Sequence, residues 1–239
     1  MVKIAKIIAI TFVSLILIIL VSGLGIYGYT KYQITSHERF WKETAAKQMP
    51  PNAIVYVALG DSTAQAIGSP DPMQGYVGQF ATRVSEQTGR PVHIINISKT
   101  GAIAKDVLID QAPKVSKYNP EIVTIAIGGN DVLADTDQRS LFNDIKQIAE
   151  VLPEGTFIAD LPTFERGTQR DMGIASRAYV QQLAKEYNLI YVPINEATEP
   201  KFWDIDQYAI DFLHPSVKQY TIWADTFWEI YQQSTESGR

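Results

Sequence analysis

Apolar residues follow two regimes along this chain. From Ile7 to Thr30 there is no charged residue, and most positions are Ile, Leu, Val, Ala or Phe. Past residue 52 the apolar runs shorten, and stretches with apolar positions every three or four residues separate them. Five short runs are rich in β-formers: 53–59 (AIVYVAL), 91–97 (PVHIINI), 121–127 (EIVTIAI), 156–161 (TFIADL) and 189–194 (LIYVPI). Such runs predict strands covered on both faces. Helical spacing predicts helices over 76–87, where Phe80 and Val84 lie four apart, over 141–152 (Leu141, Ile145, Ile148, Leu152), over 171–187 and over 216–232; 104–115 is a less regular candidate. Tyr220, Trp223, Phe227 and Ile230 mark the inner face of the last helix and read as core. Strands alternating with helices imply the α/β class, with a parallel sheet and right-handed crossovers.

The first thirty residues stand apart. Lys3 and Lys6 precede the apolar run, which as a helix reaches roughly 36 Å, enough for a bilayer core of about 30 Å. Tyr27, Tyr29 and Tyr32 sit where an interfacial aromatic belt lies. A cleaved signal peptide is the competing reading. Val21-Ser22-Gly23 supplies small residues for a peptidase, but the run is long for a signal core. A buried soluble helix fits poorly, because the segment has no polar face. The expectation is an uncleaved transmembrane anchor over 1–30, a polar, partly helical stalk over 31–52 ending at Pro50-Pro51, and a globular domain over 53–239. Lys31, Arg39 and Lys42 nearly balance the basic residues on the other side, so the positive-inside count is close to a tie. The export-like start places the domain outside the cytoplasmic membrane, or in the secreted fraction if the segment is cleaved.

The 239 residues include no cysteine and carry a formal net charge of −5. Disulfides and thiolate chemistry are therefore excluded. No basic stripe appears, which argues against a nucleic-acid partner. About 190 residues follow the N-terminal segment, enough for one domain with its own core.

Chemistry gathers at the ends of the predicted strands. Gly60-Asp61-Ser62-Thr63 follows the first, Asn96-Ile97-Ser98-Lys99-Thr100-Gly101 the second, and Gly128-Gly129-Asn130-Asp131 the third; Asp211-Phe212-Leu213-His214-Pro215 lies beyond the fifth. Parallel sheets bind ligands at the carboxyl ends of their strands, so these segments can meet. Ser62 reads either as the cap of a helix starting there or as a nucleophile on a tight turn, with Gly60 letting the backbone bend and a helix N-terminus favouring negative charge. Asp61 reads as structural, bonding nearby amides. Asp211 and His214, three apart, can pair so that the carboxylate fixes the tautomer and frees the other nitrogen to act as base. The bland alternative is a surface histidine before a helix that starts at Pro215. His37, in the stalk, and His93, within a strand, have weaker claims. Ser62 and Gly101 through backbone N–H, and Asn130 through its amide, are candidate oxyanion donors; singly, each glycine or asparagine is more often a turn residue. Metal hydrolysis fits poorly, with three scattered histidines and no H-E-x-x-H, and the G-x-S-x-G elbow is absent.

Taken together, the four segments resemble the SGNH hydrolase superfamily, the GDSL esterases and lipases, across nearly all of 53–232. The resemblance implies a flavodoxin-like three-layer α/β/α sandwich around a five-stranded parallel sheet. It implies Ser62 as nucleophile, His214 as base and Asp211 as its partner. It also implies Ser62, Gly101 and Asn130 as the oxyanion hole, and no cofactor or metal. Many members have a small residue after the aspartate of the last motif; Phe212 stands here, an expected narrowing of the site. The expected substrate is a small-molecule or lipid ester. O-acetyl removal or transfer on an envelope polysaccharide, an acyltransferase scaffold and a non-catalytic binding module are the alternatives. Loops 64–75, 132–140, 162–173 and 197–210 are expected to line the site, with Phe164, Trp203 and Tyr208 as candidate walls of an acyl pocket.

Overall fold

In a computed structural model, which describes residues 2–164, 167–199 and 205–237, five parallel strands form one sheet. They are β1 (Ile54–Gly60), β2 (Val92–Asn96), β3 (Ile122–Ala126), β4 (Phe157–Ala159) and β5 (Ile190–Val192). Their spatial order is β2-β1-β3-β4-β5, so the chain reverses its direction of winding at β1/β3, where such sheets open a crevice for ligands. Tyr56 sits opposite Ile122 and Gly60 opposite Ala126, which brings the ends of β1 and β3 level.

Side chains alternate strictly across the sheet. Val57, Leu59, Val123, Ile125 and Ile158 face one layer. Tyr56, Ala58, Ile122, Ala126, Phe157 and Val192 face the other. The first layer contains α3 (Ala104–Asp106), α5 (Gln138–Val151) and α6 (Gly167–Glu186); the second contains α2 (Tyr76–Thr88) and α8 (Val217–Ser237). Two short helices, α4 (Gly129–Leu133) and α7 (Ile194–Ala197), follow β3 and β5. The predicted aromatic stripe of α8 is core: Tyr220, Trp223 and Phe227 are buried, and Phe227 stacks on Tyr76 with ring centres 5.1 Å apart. This is the three-layer, flavodoxin-like arrangement that the strand pattern and the family resemblance imply.

Three local expectations are corrected. The helix expected over 104–115 is one α-turn followed by a π-turn (Val107–Gln111) and a 3₁₀ stretch (Ala112–Tyr118). Pro113 has no N–H to give to a carbonyl of the preceding turn, so the α hydrogen-bond ladder is interrupted there. No regular helix starts at Ser62. Residues 61–67 mix three hydrogen-bond spacings, from Gln65 N–H to Asp61 O, Ala66 N–H to Thr63 O and Ile67 N–H to Ser62 O. Ala66 adopts a left-handed φ of 66°, which breaks any continuing helix. Finally, α8 starts at Val217, and it is Ser216, not Pro215, that caps it by accepting from the Gln219 N–H.

The polar stalk is likewise not what forms. Helix α1 runs unbroken from Val2 to Ala46, and its last turns lie against the domain. Trp41 is buried in the α2/α8 layer. Its indole N–H donates to Gln65 O at 3.2 Å, and the buried His37 ring meets the same carbonyl at 3.1 Å. His37, expected in a solvated stalk, thus has its pKa lowered by burial. The apolar part of α1 is exposed from Ile10 to Leu24, and α1 is long and apolar enough to cross a membrane.

Trp41→Ala should therefore cost about 3–5 kcal/mol, the usual range for emptying a buried tryptophan site. Urea unfolding of the full chain measures it; a loss under 1 kcal/mol would mean that this half of α1 is only loosely docked.

Candidate active site

β1 ends at Gly60, where φ is +141° and an added Cβ would lie 2.4 Å from the Ala126 carbonyl oxygen. Only glycine allows β1 and β3 to close up there. The Gln111 side chain fixes the same peptide unit from the other layer. Its amide donates to Gly60 O and accepts from the Gly60 N–H, both at 2.9 Å. Immediately beyond, Asp61 accepts from the Thr63 N–H at 2.8 Å, the structural role its position suggests. Ser62 follows, largely buried, with its carbonyl accepting from the Ile67 N–H at 3.0 Å.

Asp211 and His214 pair through a compact turn. Asp211 Oδ1 accepts from the N–H groups of Leu213 (3.1 Å) and His214 (3.0 Å), while Oδ2 lies 2.7 Å from His214 Nδ1. Partial burial pushes the Asp211 carboxyl up, but these hydrogen bonds outweigh it and bring the pKa down to about 2. An ionised carboxylate only accepts, so the proton of the ring lies on Nδ1 and Nε2 is left as the free nitrogen. The loop closes on itself through Ala209 N–H to His214 O (2.8 Å) and Phe212 N–H to Ala209 O (3.0 Å). Gly68 supports it from below: a Cβ there would lie 2.5 Å from Pro215 O and 2.9 Å from His214 Cβ.

One cavity of about 640 Å³ joins these parts, with Asp61, Ser62, Thr63, Gly129, Asn130 and His214 in its wall. Leu133, Phe164, Tyr208, Phe212, Leu213 and Trp223 supply apolar surface, and Thr163, Gln169 and Gln219 supply polar groups. Burial raises the pKa of Asp61, and its hydrogen bonds with Thr63 offset part of that rise.

The oxyanion candidates are arranged less evenly. The Asn130 amide donates to Ala102 O at 2.9 Å and approaches Asp61 Oδ2 at 3.4 Å, which holds it in the cavity wall. Ala102 adjoins Gly101, so that bond brings the second and third motifs together. Gly101 itself is exposed, has φ +81° and is not in the cavity lining. Asp131, the last residue of its motif, turns away and accepts from the Ala104 N–H at 2.9 Å.

Phe164 and Tyr208 line the cavity as anticipated, whereas Trp203 lies outside the described residues. Of the four expected loops, 64–75 does not contribute to the lining; it lies under His214 and against α1. Phe212 is 82% exposed and touches the cavity only at its rim, so its ring points outward instead of filling the site. Trp223 and Gln219 of α8 were not anticipated in the wall; helical spacing marks Trp223 only as core, and Gln219 lies four residues before it, on the same side of the helix.

A family model described as the GDSL-like lipase/acylhydrolase family matches residues 58–222. The chain belongs to that family. Among solved structures, TesA matches with a TM-score of 0.62 and 18% identity, over 74% of this chain and 97% of its own. Axe2, an acetylxylan esterase from Geobacillus stearothermophilus, matches with a TM-score of 0.60 and 19% identity over 76% of this chain and 96% of its own. The psychrotrophic esterase EstA from Pseudoalteromonas sp. gives 0.58 and 18%, over 76% and 98%. No curated protein sequence matches this chain.

Gly68→Ala should displace the His214 turn, since its Cβ has no room and its φ of +98° is unfavourable to alanine. Ester hydrolysis should fall about 100-fold, mostly in kcat, as misplacement of a reacting group by about 1 Å does. The lowered pKa of Asp211 carries a second expectation. Stability from the ionised pair is present above the ordinary carboxylate pKa of 3.8 and is lost as pH falls through about 2. Acid unfolding followed by circular dichroism should show Asp211→Asn flattening the stability curve in that window.

Proposed function

We propose that this chain is a serine ester hydrolase held at a membrane by α1. The observation that carries the reading is the Asp211–His214 pair opening into the same cavity as Ser62. In the reaction, His214 Nε2 takes the proton of the Ser62 hydroxyl as its oxygen attacks the ester carbonyl. The negative charge that develops on the carbonyl oxygen is met by the N–H groups of Ser62 and Gly101 and by the Asn130 amide. The imidazolium, steadied by Asp211, protonates the departing alcohol. Water then attacks the acyl-Ser62 ester by the same route and releases the acid. Gly101, exposed and outside the cavity lining, takes part only if its loop moves inward, and such donors often align only in the reacting complex.

The cavity supports an acyl group longer than acetyl, since most of its wall is apolar and about 640 Å³ exceeds what a two-carbon group fills. A lipid or small acyl ester is therefore the proposed substrate. Removal of O-acetyl groups from an envelope glycan is a second reading, supported by the shared fold of an acetylxylan esterase and by the polar side chains of Thr163, Gln169 and Gln219 in the cavity wall.

Ser62→Ala should lower kcat on a soluble short-chain ester by several orders of magnitude and abolish labelling by a fluorophosphonate probe. A folded wild-type domain that the probe leaves unlabelled would contradict the assignment. Asp211→Asn should cost on the order of 10⁴ in kcat. A chain-length series separates the two substrate readings: activity rising from acetyl to octanoyl favours the acyl-lipid reading, and acetate release alone favours the glycan.

A further inference from the structure

Helix α1 meets the domain as soon as its apolar run ends. Ile26, Thr30, Gln33, His37 and Trp41 recur every three or four residues and form the covered stripe of the helix. Gln33 donates to Ser69 O at 2.6 Å and accepts from the Gly68 N–H at 3.3 Å. The Thr30 hydroxyl donates to Asp211 Oδ2 at 3.4 Å. No spacer separates the apolar rod from the catalytic turn; they touch.

That turn carries three large apolar side chains in the open. Ile210 is 57% exposed, Phe212 82% and Leu213 53%; Phe212 and Leu213 also border the cavity, and Ile210 lies on the same turn. Phe212 adopts φ +55°, a left-handed conformation that bulky residues rarely occupy, and it turns the ring outward. Beside them on α1, Tyr27, Tyr29 and Tyr32 are exposed, and the Lys31 ammonium lies 5.6 Å above the Tyr27 ring. Aromatic rings with polar tips and a neighbouring lysine suit headgroup depth.

We propose that the 209–213 turn is a bilayer-contacting rim. With α1 inserted, Ile210, Phe212 and Leu213 enter the boundary between headgroups and acyl chains, and the cavity opens onto the lipid surface. The ester is then drawn from the membrane, its acyl chain passing along Phe212 and Leu213 without crossing bulk water. This rests on α1 being retained as a span, and its occupant is a phospholipid bilayer. The apolar cluster would otherwise be an unpaired hydrophobic patch, and its position beside the emerging helix leaves it at the membrane surface.

The absence of cysteine makes the test direct. Three single-thiol variants of the full chain, Leu20→Cys, Ile210→Cys and Glu154→Cys, are labelled with an environment-sensitive nitrobenzoxadiazole dye. They are reconstituted in phosphatidylcholine/phosphatidylglycerol vesicles with or without nitroxide-bearing lipid. Glu154 precedes β4, at the opposite edge of the sheet. The expected result is strong quenching at 20 by deep nitroxides, several-fold quenching at 210 by shallow ones, and none at 154. Quenching at 20 with a water-exposed dye at 210 overturns the rim while sparing the anchor. An unquenched dye at 20 overturns the anchor and the rim together. Neither result bears on whether Ser62 is the nucleophile, which the probe reaction decides separately.

Discussion

The site hangs on one buried amide. Gln65 Nε2 donates to Ser98 O at 2.9 Å, and its Oε1 accepts from the Thr100 N–H at 3.0 Å and from the Thr100 hydroxyl. Its backbone carbonyl accepts from both His37 and Trp41 of α1. Three separate pieces of chain, the turn after β1, the loop after β2 and the amino-terminal helix, are thus cross-linked through one residue with no apolar substitute. Buried polar groups of this kind cost free energy unless every partner is in place. Serine and glycine motifs that lie on different loops hold their spacing because Gln65 is satisfied only when both loops are seated.

The second constraint is electrostatic and local. Asp211 faces His214 through ring and backbone donors within a single turn, so the pair forms without help from distant elements. Its neighbours act on placement: Gly68 leaves room beneath His214, and Thr30 offers the carboxylate a further hydroxyl. Asp61 and Asp131, by contrast, are carboxylates whose pKa values burial raises, and each spends its oxygen on backbone N–H groups. Three acidic residues near one cavity thereby differ according to what surrounds them: hydrogen bonds hold the Asp211 carboxyl low, and burial pushes those of Asp61 and Asp131 up.

What the residue pattern made legible follows the same division. The strands were visible because Val57, Leu59, Val123 and Ile125 are apolar on one face and Tyr56, Ala58 and Ala126 on the other; the buried Thr124 among these positions is a β-former and pairs with the Tyr56 hydroxyl at 2.8 Å. The Asp211–His214 turn was visible because its bonds span three residues. The 31–46 segment was misread because its partners, Gln65 and Ser69, lie some thirty residues away, and side chains such as His37 and Gln33 look solvated until those acceptors are known. At Ser62 the chain makes the tight turn that was one of the two readings, and the helix-cap alternative fails for a related reason. Ala66 has no local cause to adopt a left-handed φ; it does so where Gly75 packs so tightly against it that a Cβ there would lie 2.2 Å from its own.

The start of the covered stripe at Ile26 has a consequence for processing. The small-residue stretch Val21-Ser22-Gly23 lies just before it, in a part of α1 that makes no contact with the domain. A cut there would remove the exposed apolar half of α1 and leave Thr30, Gln33, His37 and Trp41 still docked. The exposed apolar run and the docked stripe are therefore adjoining but separate halves of one helix, and the contacts that seat α1 on the domain all lie in the second.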